Sequence, residues 1–157
     1  MAEPSICNVN GWTLCMHPLF EEQYRSLITE VTRLKQINPD EYQNKHATKR
    51  LAAINRLIYN IIPSNPANPE FRQSKTLGEK NKHWFRAKFF QQYRLFFRYH
   101  RRARIIVYAW VNDEKSKRAY ESKSDAYRVF AHMLPSGNPP DDWDALLEAS
   151  NSLRQRR

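Results

Sequence analysis

The chain has 157 residues, enough for one compact domain and short for two self-sufficient ones, and its 41% hydrophobic content supplies a core and argues against disorder. Three glycines exclude Gly-rich phosphate loops and collagen-like repeats, no apolar run reaches the length of a membrane span, and the N-terminus lacks a secretory signal pattern. The net charge of +10 is concentrated in one place: residues 1–71 hold 7 basic and 7 acidic side chains, residues 72–128 hold 16 and 5, and residues 129–157 hold 3 and 4.

In chain order, residues 9–15 read as a short strand or an extended lead-in. Pro18 suits the first turn of a helix, and Leu19, Phe20, Tyr24, Leu27, Ile28, Val31, Leu34 and Ile37 recur at helical spacing up to Asn38. After Asn38-Pro39-Asp40, a second helix carries Ala47, Leu51, Ile54, Leu57, Ile58 and Ile61, and the tight break predicts an antiparallel helix pair. Pro63 ends the second helix, Pro66 and Pro69 then keep the chain extended, and residues 63–82 read as a mobile basic arm. Three strands are predicted over His83 to Phe89, Tyr93 to Tyr99 and Ile105 to Val111, joined as antiparallel hairpins. A helix capped near Ser124 carries Ala126, Tyr127, Phe130 and Met133, Gly137 ends it, and a last helix begins at Pro140-Asp141-Asp142.

Helices, then a meander, then short helices predict an α+β fold, with two N-terminal antiparallel helices packed on a small antiparallel sheet and short helices at the C-terminus. The expected organisation is a single domain over 1–157, with a basic loop at 63–82, a three-strand meander at 83–111 and C-terminal helices at 124–157. Cys7 and Cys15 are too few for a four-ligand zinc site and are expected as reduced thiols in the cytoplasm.

The basic centre is interleaved with aromatics, so nucleic acid is its expected partner. RNA can be cut without a metal when the 2′-hydroxyl attacks the adjacent phosphorus. Arginine and lysine then hold the phosphate and offset its added charge, and a further group moves protons. Arg86 and Lys88, two apart on one strand, share a sheet face. The placement of Arg94 depends on the turn. A two-residue loop at Gln91-Gln92 puts it on the other face, whereas a three-residue loop over Phe90 to Gln92 sets it opposite Lys88. In the second case one exposed face collects Arg86, Lys88, Arg94 and Arg98, with Trp84 and Phe96 beside them. The histidines at 17, 46, 83, 100 and 132 show no motif spacing, and Asp113-Glu114 is a polar turn with the option of holding a metal.

Several segments then resemble one family. Asn10-Gly11-Trp12, His17-Pro18-Leu19-Phe20, Ala47-Thr48-Lys49, the arm with Phe71-Arg72, Lys75, Leu77-Gly78 and Lys80-Asn81-Lys82, and Trp84 are similar to the YhaV toxins of bacterial type II toxin–antitoxin systems, within the RelE/ParE-like superfamily. More specific are the run from Tyr93 to Tyr99, the run from Trp110 to Glu114, Asp125-Ala126-Tyr127, Pro139-Pro140 and Asp142-Trp143. The resemblance implies a RelE-like fold and a cytoplasmic toxin endoribonuclease that arrests translation, needing no metal or organic cofactor. It implies as partners RNA (messenger RNA, free or on the ribosome), a cognate PrlF-like antitoxin with an AbrB-like DNA-binding part, and operator DNA only as the toxin–antitoxin complex, with no membrane. Arg86 and Lys88 fit the superfamily's pair of basic residues, Arg94 its second-strand arginine and Tyr120 its tyrosine. The arginine expected beyond the last strand passes to Arg118 or Lys115, or is absent. On this basis Arg86 and Arg94 are expected to hold the scissile phosphate, and Lys88 to accept a proton or stabilise charge. Arg118 and Tyr120 are expected to orient substrate or assist the leaving group, and Lys82, Arg98 and Lys115 to contact the RNA backbone. The rival readings are a nucleic-acid-binding module without catalysis and a ParE-like topoisomerase poison.

Overall fold

The computed structural model describes residues 7–73, 77–113 and 125–152. Its strands are β1 (Asn8–Val9), β2 (Trp12–Met16), β3 (Phe85–Phe89), β4 (Tyr93–His100), β5 (Ile105–Val111) and β6 (Asn151–Ser152). Its main helices are α1 (Pro18–Ile37), α2 (His46–Arg56), α3 (Ala126–Met133) and α4 (Trp143–Ala149). The expectation of leading helices on a small antiparallel sheet is overturned. Two strands precede α1, the sheet has six strands among the described residues, in the order β1-β2-β5-β4-β3 with β6 beside β2, and β2 runs parallel to β5, so the sheet is mixed. The local cause is Asn10-Gly11. Both residues have positive φ, 52° and 83°, which is the two-residue turn whose twist matches flanking strands, and it pairs Val9 with Trp12. The later β2–β5 pairing is parallel, as a crossover through helices permits.

His17 caps α1 by accepting the Leu19 N–H at Nδ1 (3.2 Å), with Pro18 at the first position. Burial lowers the pKa of the His17 imidazole, which keeps that acceptor nitrogen available. Gln23 ties the helix to the end of β5, donating to the Val111 carbonyl (2.6 Å) and accepting its N–H (3.1 Å). Past α2 the helix widens over Leu57–Ile61, so that the Ile62 N–H reaches back to Leu57. This frees the Ile58 carbonyl to accept the buried Tyr108 hydroxyl (2.6 Å).

Alternation along β4 divides the core. Tyr93, Leu95 and Phe97 join Phe20, Leu27, Ile54 and Ile58 beneath α1 and α2. Phe96, on the opposite face, joins Trp84, Trp110, Tyr127 and Phe130 beneath α3. The segment read as a mobile arm is anchored where it is described. Phe71 and Leu77 are buried, Phe71 meets Phe97 edge-on at 5.5 Å, and Gln73 accepts the Leu77 N–H while donating to the Asn81 carbonyl.

Candidate active site

The β3–β4 connection is the three-residue turn. Phe89 pairs with Tyr93 and Lys88 with Arg94, and Phe90 and Gln91 take left-handed φ values of 46° and 61°. Asn112 locks this register from the end of β5. Its Oδ1 accepts the Arg94 N–H (2.6 Å) and its Nδ2 donates to the Gln92 carbonyl (3.0 Å). Arg86, Lys88 and Arg94 therefore share a face. That face is not open: α3 crosses it. Phe130 stacks on Phe96 at 4.3 Å and 6° and meets Trp84 edge-on at 4.9 Å, and buried aromatic contacts of this kind fix a short helix firmly. One turn earlier on the same helix, Tyr127 is lowered onto the arginines.

The result is a pair of buried cations around one neutral oxygen. Arg86 is 9% exposed and Arg94 7%. The Tyr127 hydroxyl oxygen accepts from Arg86 Nε (2.7 Å) and from Arg94 Nε (3.1 Å), so the two nitrogens are separated by no more than the sum of those distances. Arg86 Nη1 donates to the Glu70 carbonyl (2.6 Å), and Arg94 Nη1 to the carbonyls of Gln91 (2.7 Å) and Tyr93 (2.9 Å). Among the described residues no carboxylate pairs with either arginine, and Nη2 of each has no hydrogen-bond partner. Two unit charges about 6 Å apart repel by roughly 3 kcal/mol at an effective dielectric of about 20. An anion shared by the two guanidinium groups offsets that cost, and phosphate is an anion that arginine binds through paired hydrogen bonds.

Lys88 is exposed at the rim of this pair, directly across from Arg94. Lys82 is exposed in the approach to β3. Arg98 lies on the same face of β4 but is engaged elsewhere. Its guanidinium sits between Trp84 and Trp143, 5.5 Å from each ring centroid, and donates to the Asp141 carbonyl. Burial lowers the Arg98 pKa, against the charges of Asp141 and Asp142. Lys115, Arg118 and Tyr120, with Lys75, Glu114 and Ser124, lie outside the described residues. His83 bonds Asp141 Oδ1 (2.6 Å) and His100 accepts the Ala103 N–H (3.0 Å), both away from the arginine pair. A separate groove of about 390 Å³ between α1, α2 and the end of β5 is lined by Glu22, Glu30 and Asp113 as well as Arg50, a poorer home for an anion.

Sequence reasoning missed Tyr127 and Asn112 as site residues. Tyr127 reads as one more apolar-face residue of a helix, since nothing in helical spacing says which strand residues lie beneath it. Only its place in the Asp125-Ala126-Tyr127 motif marks it.

A family described as toxin with endonuclease activity, of toxin-antitoxin system, matches residues 14–151. The toxin YhaV of Escherichia coli O6:H1 is 49% identical over 142 residues, covering 89% of this chain and 92% of the relative. The ribonuclease toxin YhaV of Escherichia coli K12 is 49% identical over 140 residues, covering 88% and 91%. No solved structure gives a significant match.

Proposed function

We propose, from the premise that the chain belongs to the YhaV family of toxin–antitoxin toxins, that the Arg86–Tyr127–Arg94 cluster binds the phosphate at which this endoribonuclease cuts RNA. The observation that carries the reading is the buried arginine pair whose partners among the described residues are all neutral. A buried charge without a counter-charge is costly, and an RNA phosphate supplies one.

In this mechanism the 2′-oxygen attacks the adjacent phosphorus and gives up its proton, the bond from phosphorus to the 5′-oxygen breaks, and that oxygen takes a proton as it leaves. The products are a 2′,3′-cyclic phosphate end and a 5′-hydroxyl end. Negative charge grows on the non-bridging oxygens during attack, where the two Nη2 groups meet it. Lys88, at the rim, accepts the proton or stabilises charge. Arg118 and Tyr120 orient the substrate, and Lys82 and Lys115 contact its backbone. The steps use no metal. Among the described residues no helix is long and apolar enough to cross a membrane, and the reading places the toxin in the cytoplasm. There a PrlF-like antitoxin masks the basic surface, and operator DNA is bound only by the two together.

The test is incubation of purified protein with single-stranded RNA, with and without chelator, and analysis of the product ends. Cyclic phosphate ends that persist in chelator are expected. Cleavage abolished by chelator, or ends bearing a 3′-hydroxyl, would remove the mechanism.

A further inference from the structure

At the far end of β4 from the arginine pair, the turn into β5 carries Arg101, Arg102 and Arg104, all exposed. We propose that this hairpin tip is a second RNA-binding site, which holds the phosphate backbone of the substrate several nucleotides from the step that is cut. The proposal rests on the endoribonuclease reading above.

The tip is built, and not merely charged. Arg104 has φ 60°; among the described residues only Phe90 and Gln91, at the other hairpin, share positive φ without being glycine or asparagine. Such a backbone costs a side chain with Cβ roughly 1–2 kcal/mol, so the position favours a glycine that the chain does not use. Instead the arginine is supported. Its guanidinium lies over the Trp12 ring at 4.6 Å, and its carbonyl accepts the Thr13 N–H (2.8 Å). Trp12 is itself buried and meets Tyr99 edge-on at 5.8 Å. Gly11 faces this side chain closely: a Cβ there would stand 3.2 Å from Arg104 Nη2. The turn is closed by the Arg104 N–H on the His100 carbonyl (2.9 Å) and by the Ala103 N–H on His100 Nδ1 (3.0 Å).

Among the described residues no carboxylate pairs with Arg101, Arg102 or Arg104. Three cations within four residues of one hydrogen-bonded turn gather counterions, and releasing those counterions drives the binding of a nucleic-acid backbone. Seven residue steps of strand carry the chain from Arg94 to Arg101, about 23 Å at the usual rise. That is about seven nucleotides of a stacked strand at ~3.4 Å per step. A strand fixed at both places gains affinity only if it is long enough to reach.

The experiment compares Arg101→Glu/Arg102→Glu with wild type on a long single-stranded RNA and on a trinucleotide containing the cleavable step. Arg104 is left intact because it packs on Trp12. For the long RNA, KM should rise roughly tenfold with kcat unchanged, and the salt dependence of binding should flatten by about 0.7 per lost phosphate contact. The trinucleotide should be cut with wild-type parameters. If charge reversal prevents folding, Arg101→Ala/Arg102→Ala should move KM in the same direction. An unchanged KM for long RNA, or equal losses on both substrates, overturns the proposal. Normal RNA kinetics with lost affinity for an acidic protein partner also overturns it and assigns the tip to that partner. Wild-type protein that cuts neither substrate removes the endoribonuclease reading and this site's ligand with it.

Discussion

Arg94 and Arg98 stand four residues apart on the same face of the same strand, and their surroundings differ in kind. Arg98 has its counter-charges within the fold: Asp141 and Asp142 act on it, the Asp141 carbonyl accepts from it, and two indole rings enclose it. Arg94, like Arg86 beside it, has a phenol and peptide carbonyls. A cation satisfied by its own chain holds structure together. A pair of cations gathered around neutral acceptors has charge left over for a ligand. The number of basic residues on a surface therefore says less about function than which of them the fold has already neutralised.

The largest effect that separates the two is catalytic. Arg86→Gln and Arg94→Gln should each lower the cleavage rate by about 30- to 1,000-fold, corresponding to roughly 2–4 kcal/mol of transition-state stabilisation. Stability in denaturant melts should stay within about 1 kcal/mol, because relief of repulsion offsets the lost hydrogen bonds. Lysine at either position should restore only part of the rate, since a point charge cannot replace the planar fork. An Arg94→Gln protein that unfolds, or that cuts RNA normally, breaks the contrast.

Arg98→Ala should do the reverse. It should lose roughly 1–3 kcal/mol of stability, from the cation–ring contacts and the Asp141 bond. Its cleavage rate per folded molecule should match wild type. Loss of activity in a fully folded Arg98→Ala protein would move this arginine into the substrate site.

Tyr127→Phe sharpens the account of the pair. The ring keeps its edge-on packing against Phe96 at 5.7 Å, while both Nε donors lose their common acceptor. A roughly tenfold lower kcat with little change in KM is expected, the size of one hydrogen bond's orienting effect. A changed KM with normal kcat would show that the hydroxyl helps to bind RNA and does not position the arginines.

The smallest effect is on pH dependence. Burial alone would raise the Asp141 carboxyl, but hydrogen bonds from Trp84 and His83 and the charges of His83 and Arg98 outweigh it and hold the pKa below the ordinary 3.8. A carboxyl lowered on folding contributes stability above its unfolded pKa, and that contribution is lost as pH falls from about 3.8 through the folded value. Acid unfolding of Asp141→Asn should therefore be less steep below pH 3.8 than that of wild type, by well under about 1 kcal/mol for so exposed a group. Equal slopes would mean that the Arg98 cluster draws nothing from this charge.

Much of this was legible in the residues. Helix α1 announces itself through Pro18 and its apolar spacing. The strands within residues 83–99 were readable from alternation, the one over Ile105 to Val111 from a run apolar on both faces, and family membership from motifs spread along the chain. The register of Arg94 was legible only as two alternatives, because loop length is not visible in a run of Phe, Gln and Gln. Left-handed φ at Phe90 and Gln91, held by Asn112 from another strand, selects between them. The leading hairpin is faint in the sequence although Asn10-Gly11 is a strong turn signal, since the two residues of β1 offer almost no alternation to read.

The sequence by itself determined where the positive charge lies, which residues alternate onto a common face and which family the chain joins, because these depend on order and spacing along one polymer. Only the tertiary structure decided which of those charges are already answered. A parallel β2–β5 pairing, an aromatic stack that draws α3 across β4, and an aspartate 43 residues from Arg98 are contacts between distant segments. Local spacing carries no record of them, and they are what leave Arg86 and Arg94 without a counter-charge among the described residues.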